Sequence, residues 1–249
     1  MSKVWSDQSR KARFDSTRWS LVLAAGAEGA SGAGRALQTL CEAYWPPIYA
    51  YVRREGHQPA EAQDLTQGFF ALLLQRDDIR SARPEKGRFR SFLLTALKHF
   101  LINEGRKARA VKRGGGHLVL SLDFDSAESQ LSLQPADRST PESLFHRQWA
   151  LTLLANVQDR LQGEMEASDR GPLFTALQPH LVGEADTERY AAIAGRLDMT
   201  EAAVKMAMTR LRKRYRELLR YEIAQTVACE ADIDDEIHEL FDALRRPGS

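Results

Sequence analysis

The chain has 249 residues, 43% of them hydrophobic, a formal net charge of +1 and two cysteines, Cys41 and Cys229. That length and apolar content exclude a chain that is disordered throughout and suit one large domain or two small ones, each with a core. The cysteines lie far apart with no CxxC and no nearby paired histidines, and no apolar run approaches the roughly 20 residues that span a bilayer, so a disulfide framework, a zinc site and a membrane segment are excluded.

The start, MSKVWSDQSRKARF, lacks the apolar core of a signal peptide. The expectation is a soluble cytoplasmic protein with no membrane partner. The stretch GAEGASGAGR, Gly26 to Arg35, superficially resembles a phosphate loop but lacks the Lys-Ser/Thr pair and a preceding strand, so it reads as a loop between helices. A first helix is predicted from about Gly34 to Arg54, with Leu37, Leu40, Cys41, Tyr44, Ile48 and Tyr51 near the 3.6-residue period. Pro46 and Pro47 are expected to bend or break it. Pro59 opens a second helix carrying Leu65, Phe69, Phe70, Leu72, Leu73 and Leu74. After the loop RPEKGRFR a third runs through Phe92, Leu93, Ala96, Leu97, Phe100 and Leu101.

From Gly114 to Pro141 the texture changes to GGG and then Ser, Asp, Gln and Pro, a linker, within which Leu118 to Phe124 alternate as a short strand would. Helical pattern resumes at Pro141, with Leu144, Trp149, Leu151, Leu154, Val157 and Leu161, and continues to Leu181. Tyr190, Ile193, Ala194 and Leu197 then mark one face of a short helix, and Asp198-Met199-Thr200 interrupts it. Thr200 suits an N-cap and Glu201 the positive end of a further helix, whose apolar stripe is Val204, Met208, Leu211, Tyr215 and Leu218. An acidic amphipathic segment, Ile223 to Leu244, comes last. The fold class predicted is all-α, with a helical domain over 1–113, a flexible polar linker over 114–141, a second helical domain over 142–220 and an acidic helical extension over 221–249.

Charge is segregated along this plan. Arg83 to Arg113 holds ten Lys or Arg against Glu85 and Glu104, and Lys205 to Arg216 holds six cations in twelve residues. Acids concentrate in Asp123 to Glu142 and in Glu230 to Asp242, the latter with seven acids and no Lys or Arg. Two basic surfaces point to two contacts with a polyanion, although either block alone also fits a solvated helix face. A short helix, a three-residue turn and a second helix with a cationic outer face match a helix-turn-helix, in which the second helix enters the major groove. At about 100° per residue, Glu201, Lys205, Thr209, Arg212 and Arg216 form one exposed stripe. Lys205, Thr209 and Glu201, toward the N-terminal half, are the candidates for base edges; Thr200, Arg210, Arg212, Lys213 and Arg216 complete the candidate duplex surface. A basic helix that binds RNA or an acidic partner is the alternative reading of the same residues.

The stretch YAAIAGRLDMTEAAVKMAMTRLRKRYREL resembles region 4 of sigma-70 family initiation factors. EAQDLTQGFFALLL and GRFRSFLLTALKHFLINEGRKARAVKRGG resemble, in the same order, the region 2 segments of the extracytoplasmic-function type. The resemblance spans about Trp19 to Arg220 and implies a two-domain RNA polymerase subunit. Its first domain would grip the β′ and β subunits of the core enzyme and the promoter's −10 element, and its second would read the −35 element. For −10 DNA the candidates are Lys86, Arg88, Phe89, Arg90, Lys98, Asn103, Arg106, Lys107 and Arg109. Cations interleaved with aromatics suit a single strand, whose bases stack while its backbone is neutralised. Phe92 and Phe100 fall on the apolar face, which leaves Phe89 as the stacking candidate.

Polymerase binding is assigned by the same resemblance to Glu61, Asp64, Leu65, Gln67 and Phe70. Gln63 and Gly68 stand where the family commonly carries acids. Thr66 lies within this weakened surface, and a phosphate there would add nearly two negative charges, so that a Ser/Thr kinase could switch the factor on; the alternatives are an ordinary helix-face Thr66, with Glu61 and Asp64 sufficient for binding, and control by an anti-sigma protein. In the second domain Ala207 replaces a common arginine and Asp198 the usual turn glycine. The acidic extension is expected either to mask the second domain's cations or to be an appended helix. No catalytic set, metal site or cofactor is predicted. His57, His99, His117 and His180 are scattered without ligand spacing, and Glu61 with Asp64 is too thin a carboxylate cluster for a metal-dependent nuclease. The alternative to a polymerase subunit is a stand-alone helix-turn-helix regulator that binds DNA by itself.

Overall fold

A computed structural model describes residues 43–75, 88–110, 124, 128, 140–181, 187–227 and 229–245, with side chains for all of these except 74–75, 107–110 and 187–189. The loop expected at Gly26–Arg35, the beginning of the first helix, Lys86, His117 and residues 118–123 of the expected strand lie outside them. Among the described residues every regular element is helical. In chain order these are α1 (residues 43–54), α2 (Pro59–Gln75), α3 (Phe89–Ala110), α4 (Pro141–Glu166), α5 (Gly171–Leu177), α6 (Thr187–Arg196), α7 (Glu201–Ala224) and α8 (Ile233–Arg245). Short 3₁₀ turns, Gln178–His180 and Glu230–Asp232, follow α5 and precede α8.

The chain divides into two compact units, one reaching to Thr152 and resuming at Ile223, the other Leu153–Glu222. This differs from a division at 114–141. The first part of α4 belongs to the first unit, where Lys98 of α3 pairs with Glu142 at 2.7 Å and Arg90 lies 4.5 Å over the Trp149 ring. Two described residues of the expected linker also bind that unit. Phe124 and Glu128 are helical; Phe124 packs on Trp45 and Tyr49 with ring centroids 5.2 Å away in each case. Glu128 takes hydrogen bonds from the Tyr49 hydroxyl (2.7 Å) and both ends of the Arg53 guanidinium (2.9 and 2.7 Å). Burial and the adjacent carboxylate push the Tyr49 hydroxyl up to about 12.

In the first unit α1 is apolar almost all round, with Tyr44, Ile48, Tyr49, Ala50, Tyr51 and Val52 buried, the signature of a helix enclosed by its neighbours. That explains why Pro46 and Pro47 do not break it as expected: 43–54 is helical through both. Burial of its side chains outweighs a missing amide donor, which costs about 3 kcal/mol in a helix interior. Between α2 and α3, Phe69 meets Phe100 at 5.7 Å. A Cβ on Gly68 would come within 3.4 Å of the Phe100 ring, so the two helices approach closely at that glycine.

In α4 Phe145, Trp149, Leu153, Val157 and Leu161 form a buried i, i+4 stripe, with Gln148 and Ala150 buried beside it. Leu151, assigned to this face from the sequence, is 41% exposed. The helical pattern expected to continue to Leu181 stops at Glu166, because Asp169 adopts a left-handed φ of 56° and the Arg170 amide turns back to the Met165 carbonyl at 2.9 Å. Pro172 then starts α5, where it sacrifices no hydrogen bond. Phe174, Leu177, Tyr190, Ile193, Val204, Met208 and Leu211 complete the core of the second unit.

Candidate nucleic-acid interface

The start of α3 is closed rather than open. Phe89, the stacking candidate, is 2% exposed, sits edge-on to Tyr44 at 5.2 Å and donates its amide to the Thr226 carbonyl at 3.3 Å. Arg90 is 3% exposed. Its Nε and Nη2 donate to the two carboxylate oxygens of Glu236 at 2.7 and 3.0 Å, and it also pairs with Glu239. Arg88 reaches Glu236 at 2.8 Å and pairs with Glu239 as well. With α8 seated, Phe89 and Arg90 are therefore core residues of the first unit and present no exposed contact to a DNA strand. Two acids of α8, the segment expected either to mask the cations of α7 or to be an appended helix, are bound elsewhere: Glu236 and Glu239 pair with Arg90 of α3 and with Arg88 just ahead of it.

His146 of α4 shares this cluster, with its Nδ1 2.7 Å from Arg90 Nη1. Burial, then the neighbouring Arg90 charge, lowers His146 to about 4, so the ring is neutral at pH 7 and Nδ1 accepts from the guanidinium. Burial pushes the Glu239 carboxyl up, but Arg88 and Arg90 outweigh it and hold it below the ordinary carboxylate range.

The other end of α3 presents its polar groups. Asn103 and Arg106 are exposed, and Lys107 and Arg109 follow in the same helix. Lys98 is half-buried against Glu142, whose carboxyl the Lys98 hydrogen bond holds below its usual range. Between α2 and α3 lies a groove of about 630 Å³, floored by Phe69, Leu73 and Phe100 and edged by His99, Asn103 and Arg106. An aromatic floor under a polar and cationic rim is chemistry that accepts an unstacked base beside its phosphates.

On α2, Glu61 and Asp64 are exposed, and Glu61 pairs with His57 at 3.1 Å one turn earlier. Leu65 and Gln67 are half-buried. Phe70 is 2% exposed and belongs to the core, so it is not available to a partner. Thr66 is 0% exposed and its hydroxyl has no hydrogen-bond partner among the described residues. A doubly charged phosphate cannot be accommodated there without opening the helix pair, since an unpaired buried charge is prohibitively costly. A kinase acting at Thr66 would have to reach the hydroxyl through an opening of this helix pair.

In the second unit α6 and α7 are joined by a turn in which Asp198 adopts φ 50°. Asp tolerates this left-handed state better than most residues, which lets a non-glycine residue hold the turn. The Leu197 and Met199 amides donate to the Ile193 and Ala194 carbonyls at 3.1 and 3.0 Å. Thr200 Oγ1 accepts from the Ala203 amide at 3.2 Å, capping α7. Thr200→Ala is expected to cost about 1 kcal/mol, measurable as a lowered denaturation midpoint of this unit with unchanged slope.

Lys205, Thr209, Arg210, Lys213 and Arg216 are exposed along α7. Lys205 pairs with Glu201 at 2.6 Å, and the Thr209 hydroxyl donates to the Lys205 carbonyl at 3.0 Å. Arg212 departs from the expected exposed stripe: half-buried, it donates from Nη2 to the His180 carbonyl at 2.8 Å and ties α7 to the turn after α5. Arg214 makes a two-pronged pair with Glu164 of α4, at 2.7 Å for each contact, which lowers the Glu164 carboxyl. Glu128, Glu164, Glu236 and Glu239 are the anchoring residues that the sequence did not expose. Only the pair Glu236 and Glu239, three apart in an amphipathic helix, left a periodic signal, and it did not name their partners.

Comparison with known proteins places a family on part of this framework. Residues 40–111 match the family model described as Sigma-70 region 2, a span that takes in α1, α2 and α3. No curated protein and no solved structure matches the chain. The segment α1–α3, with exposed acids on α2 and the exposed Asn103 and Arg106 on α3, thus carries the sequence pattern of sigma-70 region 2.

Proposed function

We propose that the chain is a sigma factor that joins core RNA polymerase and directs it to promoters, with contacts divided between its two units. The observation that carries this reading is the region 2 match over α1–α3. The exposed Glu61 and Asp64 of α2, flanked by Leu65 and Gln67, provide the polymerase-binding face. Asn103, Arg106, Lys107 and Arg109, with Lys98 and Lys86, provide the −10 contacts, and the groove beside Phe69 and Phe100 offers an aromatic floor. Arg88 completes this set only when it is free of Glu236 and Glu239.

The −35 element is read by α7. Its exposed Lys205, Thr209, Arg210, Lys213 and Arg216 supply both base-edge and phosphate contacts, Glu201 orients Lys205, and Thr200 fixes the helix start. Arg212 positions α7 through the His180 carbonyl. Phosphate contacts of this kind fix register without reading sequence, so specificity falls to Lys205 and Thr209 near the start of the helix.

A titration of the labelled full chain against core polymerase, followed by fluorescence anisotropy, tests the reading. Saturable submicromolar binding is expected, weakened at least tenfold, roughly 1.4 kcal/mol, by Asp64→Lys. Absence of binding, together with tight, sequence-specific duplex binding by the free protein, would favour a stand-alone regulator.

A further inference from the structure

The acidic C-terminal helix is seated on a cationic site of the first unit. Glu236 is fully buried and Glu239 half exposed; between them they occupy both Arg88 and Arg90, while Ile233 and Leu240 bury the rest of that face. The outward face of α8 carries the exposed Asp235, and the exposed Asp242 lines the pocket beside Arg90 and Glu239. The helix thus removes two cations from the basic segment and presents acids in their place. We propose that α8 is an autoinhibitory strap: its two glutamates stand in for the phosphates of a single DNA strand at Arg88 and Arg90, and the strand binds fully only when α8 is displaced. The proposal rests on the reading of α3 as a −10 DNA surface.

The physical chemistry favours exchange. A buried ion pair gains little net stability, because the attraction between the charges is largely offset by their desolvation. Lifting α8 away as a helix returns Glu236, Glu239 and Arg88 to water and uncovers the side of Arg90 that faces away from His146 and Trp149, where a phosphate backbone can replace the carboxylates. Arg88, about a quarter exposed against 3% for Arg90, is the point at which an incoming phosphate would first compete. Release of α8 would also leave the Phe89 amide, now bound to the Thr226 carbonyl just ahead of the strap, at an edge of the opened surface.

The test uses the full chain and a fluorescein-labelled single-stranded DNA oligonucleotide, with affinity read by anisotropy and strap opening by amide hydrogen exchange over 233–245. Glu239→Lys places a cation against Arg88 and Arg90. Asp235→Lys makes the same change in net charge on the outward face and controls for long-range attraction. Glu239→Lys should bind the oligonucleotide about a hundredfold more tightly than Asp235→Lys, the gain expected if the open state rises from about one molecule in a hundred to nearly all, and its α8 amides should exchange faster. Arg106→Gln should weaken binding in both backgrounds. Equal affinities for the two lysine variants, with Arg106→Gln still weakening both, would overturn the strap and leave the DNA surface standing. Unchanged exchange in α8 of the Glu239→Lys protein would also overturn it. No binding by any variant, with α8 exchanging fast, would overturn the DNA reading of α3 and the strap with it.

Discussion

Arg90→Ala should destabilise the first unit by about 3–5 kcal/mol, the range for truncating one member of a buried ion pair. The side chain is 3% exposed and occupied on every side: Glu236 across two hydrogen bonds, Glu239, the His146 ring nitrogen and the Trp149 face at 4.5 Å. Its removal leaves the fully buried Glu236 with Arg88 alone and opens a cavity beside Trp149. The double variant Arg90→Met with Glu236→Leu should recover most of the loss, because it removes both buried charges and fills their volume. Urea unfolding followed by tryptophan fluorescence measures both. A loss below about 1 kcal/mol for Arg90→Ala would mean that the cluster is solvated rather than buried.

Acid should loosen the same region before it affects ordinary carboxylate pairs. His146 is lowered from 6.5 to about 4, first by burial and then by Arg90. Between those values the unfolded chain binds a proton that the folded ring refuses, so stability falls as pH falls through that window. The full shift corresponds to about 3 kcal/mol; partial solvent access to the ring reduces the expected loss to roughly 2 kcal/mol. The carboxyls of Glu128, Glu142, Glu164 and Glu239 are held low, and their contribution is present at neutral pH and lost only as pH falls below the usual carboxylate range. His146→Gln keeps an acceptor for Arg90 and removes the titration. It should flatten the profile of unfolding free energy between pH 6.5 and about 4 while leaving the steeper loss at lower pH. An unchanged profile would place the early acid loss elsewhere.

These effects centre on contacts that no local pattern encodes. The helices were legible because their apolar residues recur at 3.6-residue spacing, and the turn at Asp198 was legible as a break in that spacing followed by Thr200. The ends of α4 and α5 were less so: Asp169 in a left-handed turn interrupts a pattern that leucines carry on either side. Leu151 and Phe145 show the same limit. Both fit an amphipathic helix on paper, and only the neighbours decide that Phe145 is buried and Leu151 exposed. At the candidate site the residue types were legible in the sequence and their access was not. Arg88, Phe89 and Arg90 look from the sequence like a basic and aromatic loop poised for a nucleic acid, but their partners Glu236 and Glu239 lie about 150 residues further along the chain. The burial of Thr66 was hidden for the complementary reason. Its neighbours Glu61 and Asp64 are exposed, yet it points to the other side of the same helix, into the packing between helices.

Transcription reconstituted from core polymerase, the full chain and a fragmented genomic template, with the 5′ ends of the products sequenced, addresses the central assignment directly. A sigma factor yields discrete start sites that depend on the added chain, share paired sequence elements upstream and are lost with Asp64→Lys. Start sites indistinguishable from those of core polymerase alone, under conditions where the chain is in excess, would contradict a role in promoter-specific initiation.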